Sequence, residues 1–78
     1  MLKHTYDSAA DAIYIYLSDA PVKYTKELDE SRLLDYSEED VPVGIDLLNV
    51  SQGVETDGLP KQAKVEKVLE SLGIKMFA

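Results

Sequence analysis

The chain reads as a single α+β domain, an antiparallel β-meander of about five short strands followed by one C-terminal amphipathic helix. Three observations carry this reading. Residues 12–17 form an Ile- and Tyr-rich run with a two-residue alternation, as a half-buried strand requires. Clusters of Asp, Ser, Glu, Pro and Gly interrupt the apolar runs at short intervals, too short for helices between them. Near the end, Val65, Val68, Leu69 and Leu72 recur at the i, i+3, i+4, i+7 spacing of one helix face.

Residues 2–6 are expected as the first strand, with Leu2, His4 and Tyr6 on one face, before a turn at residues 7–11. In the second, residues 12–17, Ile13, Ile15 and Leu17 share one face and Tyr14 and Tyr16 the other. Both faces are apolar enough for a central strand, with Ile toward the core. The turn residues Ser18, Asp19, Ala20 and Pro21 lead into a third, more exposed strand at 22–28. Residues 32–36 and 41–50 form the fourth and fifth, joined by the acidic loop 37–40. Pro42 lacks an amide donor and so belongs at the start of the fifth strand or on its unpaired side, and Gly44 marks a bulge or a close backbone approach. Thus residues 1–50 are the meander, 51–58 a linker, and 59–74 the helix. Asp57 is its expected cap, Pro60 falls in its first turn, and Gly73 fits the left-handed residue past its end, folding Ile74 back on Leu69.

The 78 residues and 8.7 kDa suffice for one domain. A core this small leaves stability marginal. The chain has no cysteine for disulfides or thiolate metal sites, and one histidine cannot build a His-rich site, so no cofactor is expected and self-association is a natural source of reinforcement. No leader-like segment or apolar run of membrane-spanning length is present, which points to a cytoplasmic protein. The net charge of −7 opposes nucleic acid and anionic membrane surfaces alike. It is unevenly placed: residues 1–58 hold thirteen acids and four bases, residues 59–78 two acids and four bases.

Asp7, Asp11, Asp35 and Asp46 are the candidates for a carboxylate site, two in one turn and two on neighbouring strands, where paired carboxylates divide acid and base roles or bind a hard cation. The plainer reading is that turn aspartates bond their own backbone and strand aspartates face water. His4 lacks a Ser or Cys nucleophile in any recognisable motif. Tyr6, Tyr14, Tyr16, Tyr24 and Tyr36 could stack on bases, but such platforms are framed by cations that residues 1–58 scarcely supply. Lys61, Lys64 and Lys67 could meet an acidic surface or simply be solvated.

The stretch Tyr6-Asp7-Ser8-Ala9-Ala10-Asp11-Ala12-Ile13-Tyr14-Ile15-Tyr16-Leu17 resembles the domain-of-unknown-function 2283 family, whose pattern there is Tyr-Asp-x-x-Ala-Asp-x-Leu/Ile-Tyr-Ile-x-Leu. The likeness continues through Thr25 and Glu27, Leu34-Asp35-Tyr36, and Val43-Gly44-Ile45-Asp46-Leu47-Leu48, covering roughly residues 5–51. Glu38-Glu39-Asp40 departs from the family's Asp-Gly hairpin turn, and the segment after Ser51 is particular to this branch. The resemblance implies a compact sheet-containing domain without an assigned activity, and supplies no catalytic or binding residue.

The expectation is therefore a non-catalytic protein-interaction module, a homo-oligomer and most simply a two-fold dimer, joined through the face of Tyr14 and Tyr16 or an adjoining edge. The alternatives are a metal or small-ligand site at the four aspartates, and an acidic, antitoxin-like partner of a basic protein.

Overall fold

The computed structural model describes residues 1–77. Five strands, β1 (His4–Asp7), β2 (Ala12–Tyr16), β3 (Tyr24–Asp29), β4 (Arg32–Tyr36) and β5 (Pro42–Leu48), form one antiparallel sheet in the order β1-β2-β5-β4-β3. β1 and β2 are a hairpin, and β3, β4 and β5 are a meander laid so that β5 joins β2. The helix α1 (Gln62–Ser71) follows, and two short strands, β6 (Val54–Glu55) and β7 (Met76–Phe77), pair in parallel beside it.

Alternation decides which side of the sheet becomes core. Ile13, Ile15, Ile45 and Leu47 are wholly buried, and Val65, Val68 and Leu69 of α1 pack into the same cluster. Each such side chain contributes about 2 kcal/mol by leaving water. Leu17 and Ile74 pack at its margin. The helix ends as its sequence predicts: Gly73 is left-handed at φ 71°, its N–H bonds Glu70 O at 3.1 Å, and Ile74 N–H bonds Leu69 O at 2.9 Å.

The helix is shorter than the expected 59–74. It begins after Lys61, which is left-handed (φ 52°) and so cannot continue a helix backwards through Pro60. Asp57 is not its cap; its carbonyl instead accepts from Arg32 Nη1 at 2.7 Å. The expected linker 51–58 is also structured. Val50–Gln52 make one 3₁₀ turn, β6 follows, and Thr56 is fully buried. The Thr56 hydroxyl lies 2.6 Å from Glu66 Oε2, tying this segment to α1. That bond, with one from Gln62, holds the Glu66 carboxyl below its usual range.

Candidate functional site: the open face of the sheet

Opposite the helix, the register lays the second side chain of each pair in rows. One row runs Thr5, Tyr14, Asp46, Leu33 and Glu27; the row beside it runs Tyr16, Gly44, Asp35 and Thr25. Among the described residues no helix covers these rows. Tyr16 is 36% exposed and Tyr14 half-buried, and the 18–22 loop skirts only one corner.

Tyr14 stands on β2, yet its hydroxyl donates to Asp35 Oδ2 on β4 at 2.5 Å, with β5 in between. Gly44 makes this reach possible. The Tyr14 ring lies over Gly44, and a Cβ there would collide with the Tyr14 hydroxyl and Cζ. The bulge expected near this glycine is adjacent, where Asp35 pairs with Gly44 but Tyr36 with Pro42, leaving Val43 as the extra residue. The other Asp35 oxygen accepts from the Thr25 hydroxyl at 2.6 Å, so one carboxylate joins β2, β3 and β4.

Burial, then bonding to the Asp35 carboxylate, pushes the Tyr14 hydroxyl well up from its ordinary value. It stays protonated and donating at neutral pH. Asp46, cross-strand from Tyr14, is raised by burial and then by repulsion from Asp35. Lys3 Nζ lies 4.9 Å over the Tyr16 ring, whose own edge meets Tyr14 at 4.9 Å between centroids.

The four candidate aspartates therefore divide in two. Asp35 and Asp46 are neighbours on the open face. Asp7 and Asp11 sit in the β1–β2 turn: Asp7 Oδ1 accepts from the Ala9 and Ala10 amides, and Asp11 accepts from the Ser51 amide (2.9 Å) and hydroxyl (2.7 Å). Among the described residues no three carboxylate or imidazole groups converge to hold a metal ion. His4 directs Nδ1 at Leu2 O, 2.8 Å away. The tyrosines are scattered too: Tyr24 and Tyr36 stack near the β3 edge, with Tyr24 bonded to Asp40, and Tyr6 stands apart. Lys61, Lys64 and Lys67 are exposed on the helix side. The sequence does not single out Lys3 or Leu33 for this face, and it marks Thr25 by its alternation with Tyr24 and Lys26 and by the family likeness. The period-two count from Tyr14 and Asp35 could have placed the last two once the strand order was known.

No helix of the described residues is long and apolar enough to cross a membrane. No curated protein and no solved structure matches the chain. A family model does, over residues 3–51, and that segment contains all five strands of the main sheet and the Tyr14–Gly44–Asp35 arrangement. It spans well over half of the 78 residues, and the chain belongs to the family described as protein of unknown function (DUF2283).

Proposed function

We propose that the domain is a non-catalytic protein-interaction module, and that the open sheet face bearing Tyr14 and Tyr16 is the surface it offers to a partner. One observation carries this: the helix covers the Ile face alone, while the opposite face keeps Tyr16, Leu33 and Leu48 within reach of solvent around a fixed Tyr14–Asp35 bond. Charge selects the partner. Asp35, Asp46 and Glu27 lie on this face against Lys3 at its margin, so stacking two copies face to face would set carboxylates against carboxylates. A surface rich in Lys and Arg meets the acids with opposite charge and can place a cation on the Tyr16 ring, as Lys3 does within the chain. This is the setting an acidic, antitoxin-like partner of a basic protein requires.

The test is capture from host extract with the chain as bait, run beside Tyr16→Ala and Asp46→Asn baits. A basic protein retained by the parent and lost with both variants supports the reading. Equal retention by all three baits, or no basic protein on the parent, overturns it.

A further inference from the structure

We infer that β3 is a self-complementary edge, and that two copies of the chain pair through it about a two-fold axis to make one ten-stranded sheet. The inference stands apart from the face reading. β3 is exposed along nearly its whole length and borders the sheet, with no strand beyond it among the described residues.

The backbone fixes which residues can pair outward. Ser37 N–H bonds Val41 O and Leu48 N–H bonds Ser31 O, so the odd-numbered residues of β4 face β5 and the even-numbered ones face β3. Tyr24 and Lys26, opposite Tyr36 and Leu34, therefore spend their N–H and C=O on β4. Thr25 and Glu27 present theirs at the edge, whereas the Lys23 N–H turns inward and bonds Tyr36 O at 2.7 Å. A two-fold pair that keeps the sheet continuous must set residues of like parity opposite one another. Four centres lie along residues 24–27, and centring on Tyr24 sets Thr25 against Lys23, whose N–H is spent on Tyr36 O, so no pair exchanges both backbone bonds. Centring on Lys26 opposes two lysines, and centring on Glu27 opposes two glutamates, each unfavourable.

Centring on Thr25 has none of these faults. The two Thr25 residues exchange backbone bonds and Tyr24 meets the partner's Lys26, while the side chains of Lys23 and Val22, which lead into β3, come beside the partner's Glu27 and, at its register shift, Leu28. Apart from the single Thr25 pair on the axis, every side-chain pair is thus an opposite-charge, cation–aromatic or apolar match, and each of these occurs twice. These groups are also free to pair. Among the described residues Lys23, Lys26 and Glu27 enter no ion pair or side-chain hydrogen bond, and Val22 and Leu28 are 51% and 38% exposed. The other edge, β1, differs: Lys3 is committed to Tyr16, Asp7 to its turn and His4 to Leu2. The two-fold axis keeps both helices on one side, so the two open faces join.

The experiment is light scattering coupled to size exclusion on the full chain, with folding of every variant checked by circular dichroism. The parent is expected at twice 8.7 kDa. Lys23→Glu and Glu27→Lys should each weaken the dimer about ten-fold or more, and the double exchange should restore it. Amide exchange at Thr25 should slow as parent concentration rises, a readout that needs no variant. A parent mass of 8.7 kDa at all concentrations overturns the inference, as does a dimer indifferent to both reversals or a Thr25 amide insensitive to concentration.

Discussion

The two faces of the sheet are built from alternate residues of the same strands, yet they are finished in different ways. On the helix side Ile13, Ile15, Ile45 and Leu47 meet Val65, Val68 and Leu69, and stability there comes from excluded water. On the other side Tyr14, Asp35 and Thr25 are tied by two hydrogen bonds and flanked by a second carboxylate, so order there comes from directed bonds. Tolerance should differ accordingly: a charge is ruinous on the first face, whereas the second responds to the loss of one hydroxyl or the gain of one methyl.

The largest effect is expected from Leu69→Asp or Val68→Asp, which bury an unpaired charge among wholly enclosed side chains and should cost about 4 kcal/mol. Thermal or urea unfolding measures it, and parent-like melting of both variants would mean that the helix is not docked. Next is Gly44→Ala, which drives a methyl group into the Tyr14 hydroxyl and should cost about 2 kcal/mol. Most of that cost should vanish in a Tyr14→Ala background. Equal penalties in both backgrounds would sink the account of Gly44.

Tyr14→Phe removes only the bond to Asp35 and should cost about 1.5 kcal/mol. Smaller still is the effect of pH on Asp46. Its carboxyl is raised in the folded chain, first by burial and then by Asp35, so the folded state binds the proton more readily than the unfolded state. Its contribution is most favourable below the ordinary carboxylate range and declines as pH climbs through the unfolded and then the folded value. Asp46→Asn should therefore melt higher than the parent at neutral pH, the gap closing on acidification; a constant gap contradicts the assignment. Millimolar Mg²⁺, Ca²⁺ or Mn²⁺ should leave the melting midpoint unmoved, since a native-state ligand must raise it.

What the sequence disclosed follows the range of the interactions involved. The Ile/Tyr alternation, the helix stripe and the Gly73 ending depend on residues a few positions apart, and each appears in the fold. The helix start did not, because nothing in Lys61 announces a left-handed backbone. Nor did β6 and β7, two residues each and too short to show a period. The Asp7, Asp11, Asp35 and Asp46 grouping set two in one turn and two on neighbouring strands, and the fold has that arrangement; whether such groups converge depends on the tertiary fold, and among the described residues no three carboxylates do. Tyr14 and Asp35 are 21 positions apart, and their meeting depends on β5 lying between them with a glycine at the crossing.

That placement of β5 also sets an order in time. The β1–β2 hairpin and the β3–β4–β5 meander can each form from neighbouring segments, but Ala12 must find Leu48 and Tyr16 must find Gly44 before the sheet is continuous. Closing that loop costs entropy before the paired strands repay it, so the seam between β2 and β5 is expected in the rate-limiting barrier. Truncating Ile15 or Ile45 should then chiefly slow folding, whereas truncating Val65 should chiefly hasten unfolding.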